Sequence, residues 1–209
     1  MYKLCVYAIC KNEISRIQKW LDSVREADYI VVLDTGSTDG TYEFLQKQEG
    51  IILEQQIIEP FRFDVARNKA LELIPDDCDI CLPLDIDQEM VKDFSIKLKQ
   101  AWLPNVSIMY FPQYYRTTHK AGRWAAHLRN KATWKYPVYE QLITDGKTAE
   151  TLATMVVHDW DMMRESHELY PELAELGMKE NPTDPYCFRA QHQINEERKR
   201  REERKRNSN

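Results

Sequence analysis

The sequence predicts an α/β protein with a mixed, mostly parallel sheet flanked by helices, followed by further helices at the C-terminus. Short, nearly continuous apolar runs occur at Leu4 to Cys10, Tyr29 to Leu33 and Asp79 to Leu84, a pattern typical of strands that are buried on both faces. Segments with apolar residues at helical spacing lie between them. Because tight polar turns join each strand to the next helix, the chain is expected to form successive βαβ units and hence a parallel sheet.

The composition is that of an ordinary globular protein. The chain has 209 residues, of which 43% are hydrophobic and 30% are charged, enough for one domain with a sizeable core. We expect that domain to span residues 1–195, and a charged tail, helical or disordered, to span 196–209. The net charge is −5, of which the tail contributes +3 and the body −8. A body this acidic is not expected to bind nucleic acid.

The N-terminus and the cysteines bear on the compartment. The run Leu4 to Cys10 is too short to cross a bilayer and lacks a basic leader, so we interpret it as a buried strand. Cytoplasmic residence is the expectation, and contact of the tail with an acidic membrane surface is the alternative. The five cysteines are an odd number, which favours reduced thiols. Cys78 and Cys81 are interpreted as core residues, because no second C-x-x-C completes a zinc site.

The first two strands each lead through a polar turn into a helix. After the first strand, Asn12 is predicted to cap a helix whose apolar residues recur at helical spacing, namely Ile14, Ile17, Trp20, Leu21 and Val24. The second strand ends at Asp34, and the turn from there to Gly40 offers glycines for close backbone approach and side chains that accept hydrogen bonds. Asp34 is the candidate for contact with a base or ribose, and Asp39 is interpreted as a cap.

The third predicted strand and the helix after it contain an arginine that could bind an anion. Ile51 to Ile58 is the predicted third strand, and Asp64 is predicted to cap a helix that Pro75 ends. Arg67 would then lie in the first turn, where a cation beside a helix N-terminus can form an anion pocket. We interpret Arg67 as a contact of a diphosphate or ribose. A surface arginine that pairs with Asp64 is the alternative.

The fourth strand delivers two acids, Asp85 and Asp87, one residue apart. In an extended chain, alternation places both carboxylates on one side of the strand's end. Carboxylate oxygens are ligands that Mg²⁺ and Mn²⁺ accept, and such a site leaves positions open for a diphosphate. The pattern favours a nucleotide-sugar site, and an acidic turn after a core strand is the alternative.

The second half of the sequence is less regular. We expect a helix over Glu89 to Trp102, a strand over Val106 to Phe111 and a last short strand over Thr154 to Val157. A helix over Glu165 to Met178 and a final helix capped by Asp184 would follow.

Aromatic and basic side chains are concentrated between these elements, from Tyr114 to Lys131. Aromatic faces with hydrogen-bonding rims suit sugar rings. An acceptor groove is therefore predicted from Tyr114, Tyr115, Arg116 and Trp124. Ordinary packing of each ring is the alternative.

Four blocks of the sequence together resemble glycosyltransferase family 2. They are Ala8 to Glu13, Val32 to Thr41, Phe63 to Leu71 and Leu84 to Asp87, and they follow one another in the family's order over roughly the first ninety residues. The resemblance implies the GT-A fold, a nucleoside-diphosphate sugar donor that is usually UDP-linked, a divalent cation such as Mn²⁺ or Mg²⁺, and transfer with inversion at the anomeric carbon.

Carried onto this sequence, the family pattern implies which residues bind the donor and the cation. The donor would be held by residues of all four blocks, namely Ala8, Asn12, Glu13, Asp34, Gly36, Arg67, Asp85 and Asp87. Asp87 would bind the cation together with His158, and Asp85 is a further candidate ligand. Relatives often have a third acid directly after the pair, whereas Gln88 intervenes here before Glu89, so a role for Glu89 is in doubt.

The segment Tyr136 to Leu142 resembles the part of the family pattern that carries the base. Relatives similar to bacterial core-oligosaccharide transferases have Val-His-Glu there, and this chain has Tyr139 in place of the histidine. Inversion needs a base that takes the proton of the acceptor hydroxyl, and a nearby carboxylate can do so. Glu140 is the predicted base. A surface role for Glu140, and Asp159 or Asp161 as the base, are the alternatives.

The resemblance thus implies metal-dependent, inverting transfer of a hexose, from UDP-glucose or from the donor of a deoxy-sugar such as rhamnose, to a hydroxyl of a glycan or glycoconjugate. The donor would bind to residues 1–103 and the acceptor to 104–165, with C-terminal helices over 166–195. One alternative is a sugar-nucleotide pyrophosphorylase, for which a glycine-rich basic loop is expected after the first strand. The other is a non-catalytic module that binds a nucleotide sugar or a partner.

Overall fold

The computed structural model describes residues 2–115, 121–151, 156–158 and 169–207 of the chain. The strands are β1 (Leu4–Cys10), β2 (Tyr29–Asp34), β3 (Ile51–Gln55), β4 (Ile80–Pro83), β5 (Gln88–Met90), β6 (Val106–Tyr115), β7 (Ala121–Leu128), β8 (Thr133–Lys135), β9 (Gln141–Ile143), β10 (Lys147–Glu150) and β11 (Val156–His158). The helices are α1 (Ile17–Val24), α2 (Thr41–Leu45), α3 (Phe63–Glu72), α4 (Phe94–Ala101), α5 (Tyr170–Glu180) and α6 (Pro185–Asn207).

Nine of the described strands form one sheet. Their order is β3-β2-β1-β4-β7-β6-β11-β5, and β10 pairs with β6 beside this path. Strands β1 to β4 are parallel to one another, whereas β7 runs antiparallel to β4 and β6. The prediction of a mixed, mostly parallel sheet is therefore confirmed. Because β1, β2 and β4 are parallel neighbours, the loops that follow them meet at one edge, where open α/β sheets bind ligands.

The two faces of the sheet carry separate parts of the core. On β1, Leu4, Val6 and Ala8 contribute to the cluster that contains the buried residues of α1 and α4. The alternate residues Cys5 and Tyr7 contribute to the second cluster, which also contains Ala70 and Leu71 of α3. This alternation is the period of a strand covered by helices on both sides. Cys78 and Cys81 lie in the second cluster, so the predicted core role of these cysteines is confirmed.

The predicted helix over Glu89 to Trp102 is wrong in its first turn. Residues 88–90 form strand β5, which pairs antiparallel with β11, and helix α4 begins only at Phe94. A strand of three residues is too short to give a recognisable alternation in the sequence. It forms because β11, far along the chain, supplies its hydrogen-bond partner.

Two predicted helix caps are also wrong. Asn12 does not cap α1, which begins at Ile17 after an intervening turn; its backbone has a φ of 58° and its side chain bonds to another loop. Asp64 lies inside the first turn of α3 and pairs with Arg62 instead of capping the helix. The third strand ends at Gln55 rather than at Ile58, and β6 extends beyond Phe111 to Tyr115.

The C-terminal helices pack on the loop that precedes β9. Asp184 accepts the backbone N–H of Tyr186 at 2.9 Å, as expected for the predicted cap of α6, and its other oxygen accepts the hydroxyl of Tyr136 at 2.7 Å. Helix α6 continues through residue 195 to Asn207. Within the described part of the chain, no helix combines the length and apolar character needed to span a membrane.

Candidate active site

The loops after β1 and β2 are connected by hydrogen bonds in which side chains accept backbone N–H groups. The N–H of Asn12 donates to Ser37 Oγ at 2.8 Å, and the N–H of Thr38 donates to Asn12 Oδ1 at 2.8 Å. The N–H of Glu13 donates to Thr41 Oγ1 at 2.8 Å. Because each loop satisfies polar groups of the other, Asn12 and Glu13 are held beside the turn after β2, as expected if both loops contribute to one site.

Asp34 organises the turn that follows β2. It is fully buried, and its Oδ1 accepts the N–H groups of Gly36 and Ser37 and the side-chain amide of Gln55, at 2.8 to 2.9 Å. Burial alone would raise the pKa of Asp34, but these hydrogen bonds outweigh it and lower the pKa. Gly36 has a φ of 106°, which favours glycine. Contact of Asp34 with a base stays a prediction, and it requires this turn to open.

Asp34→Asn is expected to destabilise the protein by about 1–3 kcal/mol at neutral pH, because a carboxylate that accepts hydrogen bonds from two backbone N–H groups, the Gln55 amide and the Cys10 thiol becomes an amide that matches them less well. Since the folded pKa is lowered, the native carboxylate contributes stability above the ordinary pKa of about 3.9, and this stability is lost as the pH falls through the folded value. Urea unfolding at pH 7 and pH 3 should therefore show the variant's deficit shrinking in acid. The exposed control Asp76→Asn should show no such change, and an equal deficit at both pH values would contradict the assignment.

Arg67 joins the acid pair after β4 to the predicted base. Its Nη2 donates to Asp85 Oδ1 at 2.6 Å and its Nε donates to Glu140 Oε1 at 2.5 Å. The Arg67 side chain is 5% exposed, against 31% for Asp85 and 12% for Glu140. The alternative of a surface arginine paired with Asp64 is therefore wrong. The structure brings Asp85 and Glu140, which are far apart in sequence, to two neighbouring nitrogens of one guanidinium.

The charge of Arg67 is maintained by these two acids. Burial by itself lowers the pKa of the guanidinium, but Asp85 and Glu140 outweigh it and raise the pKa above its ordinary value. Its Nη1 is buried and finds no hydrogen-bond partner among the described residues. A buried cation with a spare N–H at the edge of a polar site can bind an anionic oxygen.

Asp87 and Gln88 complete the segment after β4. Asp87 is partly buried, two residues beyond Asp85. Gln88 accepts the N–H of Asp85 through its side chain at 2.9 Å and donates to Gln113. Where relatives often have an acid, Gln88 thus shapes the turn that presents Asp85.

The predicted cation ligands belong to the turn before β5 and to its partner strand β11. The pairing of β5 with β11 sets the backbone of His158 opposite Gln88, next to Asp87 in sequence. The pair Asp87 and His158 stays a prediction. The side chain of His158 lies outside the described residues. Among the side chains that are described, no group of three or more His, Cys, Asp or Glu could hold a metal ion.

The other predicted site residues have varied positions. Ala8 is fully buried in the core against α1, so its side chain lies outside the site. Trp124 on β7 donates its indole N–H to the carbonyl of Pro83 at 2.6 Å, which puts the ring beside the end of β4. Asp159, Asp161 and Arg116, and the side chains of Tyr114 and Tyr115, fall outside the described part of the chain, so the acceptor groove stays a prediction.

Sequence reasoning missed two residues that shape the site. Gln55, at the end of β3, donates to Asp34, and Trp134 on β8 lies under the Arg67 guanidinium, with 4.8 Å between the guanidinium carbon and the ring centroid. Gln55 was not marked as the end of a strand, because the third strand was expected to continue to Ile58. Trp134 lies in a short strand of a separate two-stranded sheet, and no motif marks it.

Comparisons with known proteins agree with this geometry. The family model described as Glycosyl transferase family 2 matches residues 5–168. None of the curated proteins compared with the chain matches it.

Solved structures show the shared fold. S. aureus TarS is similar with a TM-score of 0.61 and 13% identity over 83% of this chain and 39% of that one. The S. aureus TarS 1-349 structure is similar with a TM-score of 0.59 and 13% identity, over 92% of this chain and 70% of that one. The homolog of Mycobacterium tuberculosis rv0371c from Mycobacterium sp. strain JC1 is similar with a TM-score of 0.51 and 12% identity, over 83% of this chain and 98% of that one. The chain thus spans 39% of the length of TarS.

The match to the family covers well over half of the chain, including β2 to β11, Arg67, the acid pair and Glu140. The mixed sheet and its helices are those of the GT-A fold, so the prediction of the family and of its fold is confirmed. The chain belongs to glycosyltransferase family 2.

Proposed function

We propose that this chain transfers a hexose from a nucleoside-diphosphate donor, with UDP-glucose or a rhamnose donor as the candidates, to a hydroxyl of a glycan or glycoconjugate, with inversion and with the help of Mn²⁺ or Mg²⁺. The observation that carries the proposal is the bridge Asp85–Arg67–Glu140, which places an acid of the donor pattern and the predicted base on one buried cation. Membership of the family supports the reaction type.

The donor nucleotide would bind over the two hydrogen-bonded loops after β1 and β2. Asn12, Glu13 and the turn from Asp34 to Gly36 border this edge of the sheet. The spare N–H of Arg67 and its positive charge would attract the diphosphate or a ribose hydroxyl. A phosphate that approached would compete with Asp85 for the guanidinium, so donor binding is expected to loosen the pair between Arg67 and Asp85.

The donor set fits a hard divalent cation. Asp85 and Asp87 carry carboxylate oxygens close together in sequence, and the backbone of His158 pairs with that of Gln88, which follows them. Carboxylate oxygens and an imidazole are ligands that Mn²⁺ accepts. When bound, the cation would stabilise negative charge that develops on the departing diphosphate. Asp87 and His158 would hold it, with Asp85 as a further ligand.

Glu140 would act on the acceptor. Its Oε1 is held by Arg67 Nε at 2.5 Å, so the carboxylate has a fixed orientation, and its Oε2 would take the proton of the acceptor hydroxyl as the hydroxyl oxygen attacks the anomeric carbon. The bond from the anomeric carbon to the diphosphate oxygen breaks in the same displacement. Arg67 would keep Glu140 in place while this happens.

A panel of donors tests the proposal. We expect UDP, UDP-glucose or a rhamnose donor to raise the melting temperature more in the presence of Mn²⁺ than without it, because a ligand that binds only the native state stabilises it by about 2.7 kcal/mol at a hundredfold excess over its Kd. Slow release of UDP or TDP from the bound donor would show that the site is reactive. Formation of UDP-glucose from UTP and glucose 1-phosphate would instead support a pyrophosphorylase, and stabilisation without any turnover would support a binding module.

A further inference from the structure

We infer that Trp134 is a positioning residue of the proposed reaction, which fixes the Arg67 guanidinium at the place where it bridges Asp85 and Glu140. The inference rests on the proposed function, because it gives the bridge its supporting element. Trp134 belongs to none of the four sequence blocks that resemble the family.

The bridge needs a support that the two acids do not provide. Asp85 and Glu140 bind two edge nitrogens of the guanidinium, which sets its direction in its own plane but leaves the plane free to tilt. Asp85 is also 31% exposed and is expected to change partners when a donor binds. A rigid surface against the flat face of the cation is what would keep Arg67 aligned with Glu140 after that exchange.

Trp134 supplies that surface. The guanidinium carbon of Arg67 lies 4.8 Å from the ring centroid, well within the range of a cation–π interaction, and arginine stacks on tryptophan more favourably in a dry setting than in water. Both side chains are buried, since Trp134 is 8% exposed and Arg67 4%. The cation is therefore bound by two acids through its nitrogens and lies over the ring of an indole.

The backbone of Trp134 is tied to the helix that carries Arg67. The side-chain amide of Asn68 donates to the carbonyl of Trp134 at 2.9 Å and accepts its N–H at 3.0 Å. Asn68 follows Arg67 directly in α3. The same turn of the helix therefore carries the cation and binds the backbone of Trp134. The distance between the two is thus fixed by one short covalent link and two hydrogen bonds.

The ring of Trp134 is anchored separately, to the centre of the sheet. Its indole N–H donates to the hydroxyl oxygen of Tyr7 at 2.8 Å, and that hydroxyl lies 3.0 Å from His127 Nε2, while His127 Nδ1 lies 2.9 Å from the carbonyl of Leu128. One arrangement satisfies every atom: Nδ1–H donates to Leu128, and Nε2 accepts from Tyr7. This requires neutral His127, in agreement with burial lowering its pKa to about 4.

The test compares Trp134→Leu with Trp102→Leu. Trp102 is a matched control because it is 6% exposed and packs in the other core cluster, away from Arg67. The Nε–H signal of Arg67 in ¹⁵N spectra of the ligand-free protein is identified by its absence in Arg67→Lys. We expect this proton to exchange with solvent at least about tenfold faster in Trp134→Leu than in the wild type. Transfer should fall about 10²-fold in the same variant, as for a misplaced catalytic group.

Trp134→Phe is the conservative variant, which keeps an aromatic face but loses the N–H that binds Tyr7. We expect Trp134→Phe to keep most of the slow proton exchange and most of the transfer rate that Trp134→Leu loses. If Trp134→Leu does not fold, Trp134→Phe is compared with Trp102→Phe instead. Unchanged exchange of the Arg67 signal in the Trp134 variants, or an equal loss in the Trp102 variants, would overturn the inference. A wild type that shows the protected Arg67 signal without any transfer would refute the proposed function and leave the positioning role standing.

Discussion

Replacing Asp87 with alanine is expected to lower the rate of sugar transfer by about 10³-fold or more while the protein stays folded. Asp87 is the acid that we propose binds the cation, from the turn after β4 and beside the backbone of β11. Charge stabilisation by a divalent cation contributes several kcal/mol to such a transition state, and each 1.36 kcal/mol corresponds to about tenfold in rate. Transfer and donor-dependent binding of Mn²⁺, measured by electron paramagnetic resonance, should be lost together.

The control is Asp76→Ala. Asp76 precedes the amino end of β4, at the opposite end of the strand from the site, and its side chain is fully exposed. We expect this variant to transfer sugar at the wild-type rate and to bind Mn²⁺ normally. If Asp87→Ala retained turnover, or lost it only because the melting temperature collapsed, the assignment of the cation site to this turn would be wrong.

The position of the acid pair could be predicted because it depends on local pattern. An apolar run that ends in Asp-Ile-Asp reads as a buried strand with two carboxylates at its end, and the parallel order of β1, β2 and β4 follows from the strand–helix alternation. The position of the polar turn from Asp34 to Gly40 could be predicted for the same reason. These features are set within a few residues of chain.

The partners of the buried groups could not be predicted in this way. Arg67 and Glu140 are 73 residues apart, and their contact depends on how the segment after β8 folds back over α3. Trp134 has the spacing of an ordinary core residue, so its support of Arg67 is visible only in three dimensions. The strand β5 was missed because its pairing with β11, and not its own composition, makes it a strand.

The bridge also joins the two predicted halves of the domain. Asp85 lies in residues 1–103, the expected donor half, and Glu140 lies in 104–165, the expected acceptor half, and both bind the same guanidinium. A buried arginine is stable only where carboxylates offset its desolvation. Formation of the donor site and orientation of the base are therefore expected to depend on each other.

Arg67→Met should reveal this dependence, with a loss of about 10²-fold or more in transfer and about 2 kcal/mol or more in the free energy of unfolding. The substitution keeps most of the apolar stem but leaves Asp85 and Glu140 without the cation that separates them, and breaking a buried ion pair by removing one partner is strongly destabilising. Arg67→Lys should recover part of the stability and little of the transfer, since a single ammonium cannot bind two carboxylates in the fork geometry of a guanidinium. Urea unfolding and steady-state transfer rates measure the two effects.

Arg62→Met provides the matched control, at the residue that directly precedes α3. Arg62 also binds two carboxylates, Asp64 at 2.9 Å and Glu180 at 2.5 Å, but its side chain is 21% exposed and it contacts neither acid of the bridge. Because Arg62 is more exposed than Arg67 and its pair with Glu180 is partly exposed, we expect this variant to lose less stability than Arg67→Met and to transfer sugar normally. Equal losses of transfer in the Arg62 and Arg67 variants would mean that Arg67 acts through the stability of α3 alone, and the link between the donor site and Glu140 would then have to be abandoned.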